Sequence, residues 1–166
     1  MICYFCSIFR MDKKISIEYK EFSDVSFLSN NEKELVSKAR LIAEKAYSPY
    51  SRFKVGATVL LDNGQVIEGN NQENAAFPSG ICAERVALFF SGANFPTIAI
   101  KTMVVACNGD LLTENQFITP CGSCRQVMLE SENRQSEPIK IILTSQNGRV
   151  LVFNSAIDLL PFSFGF

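Results

Sequence analysis

The spacing of apolar and polar residues along the chain changes several times, and each change predicts an element. Near the start, Ile15, Ile17 and Tyr19 alternate with polar residues. A period of two is typical of a strand with one buried face. We therefore predict a strand within residues 13–22, at the edge of a sheet.

The first helical pattern begins at Asn31, where the spacing of apolar residues changes. Residues such as Leu35 and Ala39 recur at intervals that place them on one face of a helix. Asn30 or Asn31 can cap its first turn through a side-chain oxygen. Pro49 cannot continue a helix, because its nitrogen carries no hydrogen. The pattern thus predicts an amphipathic helix that Pro49 ends.

Strand and helix patterns alternate along the rest of the chain. Asn63-Gly64 lies between two apolar runs and predicts a β-hairpin. The later patterns predict helices within 80–93, 120–132 and 155–160, and strands within 99–107, 139–145 and 147–153. This order predicts an α/β fold, a three-layer α/β/α sandwich around a mixed sheet of about five strands.

Length and composition are those of a single globular domain. The chain has 166 residues, of which 47% are hydrophobic and 20% charged, and its net charge is −1. No basic cluster favours nucleic acid, and no apolar run reaches the ~18–20 residues that span a bilayer. We expect a cytoplasmic protein with neither a nucleic-acid nor a membrane partner. We expect its domain to be residues 31–166, after an N-terminal extension, residues 1–30.

The first ten residues of that extension look detachable, and Met11 is an alternative start. They lack the charged start, long apolar core and small-residue cleavage site of a secretory signal. Cys3 and Cys6 have CxxC spacing there. We interpret these two cysteines as residues without a functional role in a frayed terminus, with a second metal site as the minor alternative.

Three cysteines form the main chemical candidate. "TPCGSCRQ" carries Cys121 and Cys124, and "CAE" carries Cys82; each stretch opens a predicted helix. Helix N-termini favour thiolate over thiol. Three thiolates favour zinc, and a site with three protein ligands leaves the fourth tetrahedral position open, as in catalytic zinc sites.

Glu84 follows Cys82 by two residues, so its side chain leaves the helix in another direction and need not bind the same metal. It can instead act as a proton acceptor near the open position, a role worth ~10²–10⁴-fold in rate. Arg85 and Arg125 can offset part of the negative charge on the sulfurs. We therefore take Glu84 as the candidate general acid/base and Arg85 as a charge-tuning residue.

Other interpretations of these cysteines stay open at this point. Buried cysteines are often ordinary core residues, and that is the interpretation we favour for Cys107 at the end of a buried strand. If Cys107 were a fourth ligand, the zinc site would be structural. A redox role for the CxxC pair would leave Cys82 and Glu84 unexplained.

"CAER" and "PCGSCRQ" together resemble the zinc signature of the small, homotetrameric cytidine deaminases. The resemblance extends from about residue 39 to residue 164 and includes "SPYSRFKVGA", "NQENAAFPSGICAER" and "LLPFSFG". It implies one Zn²⁺ per chain and hydrolytic deamination of cytidine and 2′-deoxycytidine. It also implies a homotetramer whose subunits share their active sites, with a small nucleoside as substrate.

The resemblance also implies substrate contacts at five positions. Asn71 and Glu73 match the pair that hydrogen-bonds the ribose hydroxyls, and Phe53 matches an aromatic of the nucleoside pocket. Ala83 matches a backbone contact to the pyrimidine. Phe164 matches an aromatic that a neighbouring subunit packs on the base.

Phe77 is a departure from the family pattern, because many members have tyrosine at this position, and a hydroxyl contact is therefore lost or replaced. A deaminase that edits polynucleotides would need a basic groove, which the sequence does not supply. Deaminases of cytosine-containing antibiotics such as blasticidin S have a similar scaffold. The pair Asn71 and Glu73 favours a nucleoside over that substrate.

Overall fold

The computed structural model describes residues 12–109, 117 and 119–165. The predictions for residues 1–10, including Cys3 and Cys6, lie outside the described residues. The division of the chain into an extension and a domain at residue 30 stays a prediction. Among the described residues, no helix has both the length and the apolar character required to cross a membrane.

One mixed sheet of six strands forms the centre of the described structure, in the order β1-β6-β5-β4-β2-β3. The strands are β1 (Lys20–Phe22), β2 (Phe53–Leu61), β3 (Val66–Asn70), β4 (Ile100–Gly109), β5 (Lys140–Thr144) and β6 (Val150–Phe153). Strands β4 and β5 pair in parallel, and the other neighbours pair antiparallel. The mixed sheet is as predicted, with one strand more than the five expected.

Helices cover both faces of this sheet. They are α1 (Asn30–Ala43), α2 (Ala83–Asn94) and α3 (Gly122–Asn133). In β4, Val104 and Ala106 share a core with α1, whereas Met103, Val105 and Cys107 share the opposite core with α2 and α3. This alternation along a strand is what a sheet with two buried faces requires. The predicted three-layer α/β/α sandwich is confirmed, and Cys107 is a core residue.

Helix α1 begins one residue earlier than the sequence predicts. Ser29 is its N-cap, and Ser29 and Glu32 form a capping box. The backbone N–H of Ser29 donates to Glu32 Oε2 at 2.9 Å, and the N–H of Glu32 donates to Ser29 Oγ at 3.4 Å. The predicted caps Asn30 and Asn31 are wrong, because this reciprocal pair satisfies more donors than either asparagine. The helix ends at Ala43, well before Pro49.

The edge strand is shorter than the predicted span 13–22. Only Lys20–Phe22 is a strand, whereas Ile15 and Ile17 are 49% and 43% exposed. A strand extends only as far as its partner, and β1 pairs with just Val150–Val152 of β6. The alternation at Ile15 and Ile17 therefore does not mark the strand itself.

Two glycines let helices approach the sheet closely. A Cβ at Gly56 would lie 2.0 Å from the carbonyl oxygen of Ala39 in α1. A Cβ at Gly69 would lie 2.6 Å from the carbonyl oxygen of Ala83 in α2 and 2.8 Å from the nitrogen of Ala87. Only glycine permits these approaches. Gly69 thus sets the position of the first turn of α2, which carries Glu84.

Candidate active site

Three cysteine thiols meet where α2 and α3 begin. Cys82 is the N-cap of α2, Cys121 is the N-cap of α3, and Cys124 lies in the first turn of α3. The sulfur of Cys121 is 4.0 Å from that of Cys82 and 3.5 Å from that of Cys124. All three sulfurs lie within 4.8 Å of one another. The structure thus brings together cysteines that are 39 residues apart in sequence.

The spacing of these sulfurs fits a zinc ion. A tetrahedral zinc with Zn–S bonds of ~2.3 Å separates its sulfur ligands by about 3.8 Å. The separations of 3.5 and 4.0 Å lie on either side of that value. Among the described residues, the cluster has these three thiols only. Cys107 is elsewhere, with its thiol directed at the carbonyl oxygen of Thr144 at 3.9 Å.

The thiols differ in how readily each carries a negative charge. Hydrogen bonds from Cys124 and Arg85 lower the pKa of Cys82 to about 5, although burial acts against them. The pKa of Cys124 is raised, because its thiol donates to Cys82 and is buried. Nη2 of Arg85 lies 3.8 Å from the sulfur of Cys82. Arg85 therefore lies beside the thiol whose pKa is lowered, and its charge-tuning role stays a prediction.

Glu84 lies in the first turn of α2, beside the thiols. Its side chain is buried, with 5% of the residue exposed. Burial raises the pKa of Glu84, and the negative charge of Cys82 raises it further. A carboxyl group in such surroundings can hold a proton near neutral pH and pass it on. Ala83, between Glu84 and Cys82, is fully buried.

A cavity of about 520 Å³ lies next to the thiol cluster. Its lining includes Cys82 and Arg85 on one side and Asn71 and Glu73 on another. Aromatic rings of Tyr50 and Phe77 also line it, packed edge to face with centroids 6.1 Å apart. The residues predicted to bind ribose and the predicted metal ligand Cys82 therefore face the same space.

The Asn71 side chain is bonded to the backbone of β2. Its Oδ1 accepts from the N–H of Val55 at 2.7 Å, and its Nδ2 donates to the carbonyl oxygen of Phe53 at 2.9 Å. An amide has two N–H groups and two lone pairs on oxygen, so one of each remains. The first effect of Asn71 is thus to hold the start of β2 against the end of β3.

Glu73 is held by the turn that follows Pro49. Its Oε2 accepts from the N–H groups of Tyr50 at 2.9 Å and Ser51 at 3.2 Å, and its Oε1 accepts from the Ser51 hydroxyl. The Ser51 hydroxyl is the leading cause of the lowered pKa of Glu73, which stays a carboxylate. The sequence analysis did not single out Ser51. A serine in a Pro-Tyr-Ser turn gives no signal of its distant partner.

The remaining predicted contacts lie in different surroundings. Phe53 begins β2 and packs against the core shared with α2 and α3. Phe164 is 72% exposed, and both polar groups of its backbone bond to the side chain of Gln126, at 2.8 and 3.3 Å. The three guanidinium nitrogens of Arg125, which we expected to offset charge, donate to oxygen atoms.

A mixed sheet between helices, with three converging thiols at two helix starts, defines a zinc-binding α/β protein. The sequence model of the cytidine and deoxycytidylate deaminase zinc-binding region matches residues 29–136. A cytidine deaminase of Sporosarcina psychrophila is 35% identical over 130 residues, covering 78% of this chain and 88% of the relative. One of Halalkalibacterium halodurans is 43% identical over 96 residues, covering 58% and 68%.

Solved structures are similar as well. A cytidine deaminase from Burkholderia pseudomallei superimposes with a TM-score of 0.68 at 38% identity. The match covers 80% of this chain and 98% of that one. The chain therefore belongs to the cytidine and deoxycytidylate deaminase family, and its cofactor is zinc.

Proposed function

We propose that the protein catalyses the hydrolytic deamination of cytidine and 2′-deoxycytidine, a step of pyrimidine salvage. The products are uridine or 2′-deoxyuridine and ammonia. One observation carries the proposal: the thiols of Cys82, Cys121 and Cys124 converge beside the buried Glu84, and Cys82 lines a cavity that Glu73 also lines. The kinship with proteins named cytidine deaminase supports the same substrate class.

One zinc ion per chain, held by the three thiolates, would supply an activated water at neutral pH. Three thiolates carry more negative charge than the two positive charges of zinc, so the site is net negative. It therefore lowers the pKa of a bound water less than a zinc site with neutral ligands would. Arg85, 3.8 Å from the sulfur of Cys82, offsets part of that charge. A nearby proton acceptor therefore contributes more here than at a site with neutral ligands.

Glu84 performs the proton transfers. It accepts a proton from the attacking water and delivers it to N3 of the pyrimidine while the new C–O bond forms at C4. It then carries the second proton of that water to the 4-amino group. The C4–N bond breaks, and ammonia leaves with the uridine product. The burial of Glu84 suits this residue for both proton transfers, because its raised pKa lets one carboxyl group act as base and then as acid.

Substrate binding is assigned to the cavity beside the thiols. Glu73 is the acceptor for a ribose hydroxyl, and Asn71 offers the polar atoms that β2 leaves unused. Phe53 and the backbone of Ala83 contact the pyrimidine. Phe164 packs on the base in a neighbouring subunit, and its 72% exposure in one chain supports that role.

We propose a homotetramer with shared active sites. The exposure of Phe77 and Phe164, 75% and 72%, supports contacts between subunits beside the cavity. The domain comprises residues 31–166, after an extension of residues 1–30. We place the protein in the cytoplasm, where free thiols such as those of the cluster stay reduced. Its partners are nucleosides, without nucleic acid or membrane.

A single assay tests the proposal. Purified protein is mixed with cytidine, the loss of ultraviolet absorbance and the ammonia formed are followed, and the zinc content per chain is measured. We expect about one zinc per chain and conversion to uridine. Blasticidin S, run in parallel, tests the antibiotic alternative. A protein that contains zinc but does not convert cytidine would contradict the proposed substrate. If it converted blasticidin S alone, the antibiotic would be the substrate instead.

A further inference from the structure

Arg125 joins the turn before Cys121 to the C-terminal 3₁₀ helix (Ala156–Leu159). Its Nε donates to the carbonyl oxygen of Pro120, and its Nη2 to Oγ1 of Thr119, both at 2.8 Å. Its Nη1 donates to the carbonyl oxygen of Leu159 at 3.1 Å. One planar group thus bridges two segments that are about 40 residues apart in the chain.

The two cysteines of α3 differ in what holds them in place. Cys124 lies inside the helix and is fully buried, so packing fixes its side chain. Cys121 is exposed, and as the N-cap it makes no side-chain capping bond. Its position therefore depends on the backbone of the turn that leads into α3. Arg125 bonds to the two residues just before Cys121 in that turn.

The other end of the bridge is anchored. Glu132 of α3 accepts from the Ser155 hydroxyl at 2.5 Å and from the Ala156 N–H at 2.8 Å, which fixes the start of the 3₁₀ helix. Leu159, at its end, is 6% exposed and packs in the core. Arg125 therefore ties the turn to a segment that α3 holds independently.

We propose that Arg125 is a positioning residue for the metal site. It fixes the turn that presents the sulfur of Cys121 and thereby slows the loss of the metal. The inference rests on the proposed function in one respect, that the three thiols bind zinc. It does not depend on the identity of the substrate. Partners that orient metal ligands from outside the coordination sphere typically change affinity by ~10–100-fold.

The measurement is the rate of zinc release to an excess of a chromophoric chelator, without substrate. It compares the zinc-loaded wild type with Arg125→Lys and Arg125→Gln. Lysine keeps the positive charge but lacks the planar fork, so it separates positioning from charge. We expect both variants to release zinc ~10–100-fold faster. The matched control is Arg134→Lys, because Arg134 is the C-cap of α3, at the end of the helix away from the cysteines, and forms an ion pair with Glu130 at 3.7 Å.

Release from Arg125→Lys at the wild-type rate would overturn the inference. Fast release from Arg125→Gln alone would also overturn it, because charge would then be what matters. Thr119→Val covers the case in which the Arg125 variants do not fold. This change removes the hydroxyl that accepts from Arg125 and keeps the shape of the side chain. Faster zinc release therefore supports the inference, and an unchanged release rate overturns it.

The wild type separates this inference from the proposed function. A wild type that holds zinc but does not deaminate cytidine contradicts only the proposed function, since release is measured without substrate. A wild type that takes up no zinc contradicts both proposals.

Discussion

The hydroxyl of Ser51 donates a hydrogen bond to the carboxylate of Glu73, 22 residues further along the chain. The same hydroxyl accepts from the N–H of Phe53 at 3.0 Å, so its orientation is fixed from both sides. The group that we assign to ribose recognition is thus held by the turn between α1 and β2. The start of β2 belongs to the same network.

Ser51→Ala should raise KM for cytidine roughly tenfold or more and leave kcat nearly unchanged, because a hydrogen bond to a charged group contributes about 1.5–3 kcal/mol. Steady-state kinetics with cytidine and 2′,3′-dideoxycytidine test this. The increase in KM caused by Ser51→Ala should be smaller for the dideoxy substrate, which has no 3′-hydroxyl. Ser37→Ala is the control, since its hydroxyl bonds to the carbonyl oxygen of Lys33 on α1. An equal penalty with both substrates would contradict the assignment.

Glu84→Gln should lower kcat by ~10²–10⁴-fold, because glutamine cannot accept and return a proton. The zinc content and melting temperature should stay close to those of the wild type, since glutamine fills nearly the same volume. Glu68→Gln is the matched control, on the exposed face of β3. Near-normal turnover by Glu84→Gln would contradict the role of Glu84 in proton transfer.

Gly69→Ala should destabilise the protein by about 1–3 kcal/mol, because the new methyl group meets the backbone of α2 at 2.6 Å. The helix has to move away from β3, so turnover should fall as well. Gly92→Ala, inside α2, is the control. Its new Cβ has no neighbour within 3.4 Å, and it should stabilise by about 0.5–1 kcal/mol. Urea unfolding measures both, and equal effects would contradict the close-approach argument.

Stability in acid should depend on Glu32. Burial alone raises its pKa, but hydrogen bonds from Ser29 and Lys140 outweigh burial and hold the pKa below its usual value. A lowered pKa in the folded state stabilises the protein above the unfolded value of about 4.5. That contribution is lost as the pH falls through the folded-state pKa.

Glu32→Gln should therefore be less stable than the wild type at pH 7, and the difference should shrink as the pH is lowered below 4.5 toward 3. Urea unfolding between those values measures the difference. Glu34→Gln is the control, because Glu34 pairs with Lys38 on the exposed side of α1. A constant difference between Glu32→Gln and the wild type across the range would rule out the linkage.

The thiol cluster could be predicted because its signals are local. A short motif opens each helix, and the helix start determines where Cys82, Cys121 and Cys124 point. The hairpin at Asn63-Gly64 was predictable for the same reason, since the turn needs a positive φ and Gly64 has one of 84°.

Several features could not be predicted, because partners distant in sequence determine them. The N-cap of α1 depends on which side chain reaches Glu32, and the length of β1 depends on β6. The bonds of Ser51 to Glu73 and of Arg125 to Leu159 cross 22 and 34 residues of chain. Sequence patterns describe spacing along the chain, and these contacts depend on how the sheet brings separate segments together.

The sulfurs of Cys82 and Cys121 come from two helices whose starts are 39 residues apart. Because only the folded chain brings these two helix starts together, a cation held between them binds the folded form and not the unfolded one. Binding only to the folded form raises stability by RT ln(1 + [L]/Kd). Metal supply therefore governs the amount of folded enzyme as well as its turnover, and the melting temperature should fall in chelator.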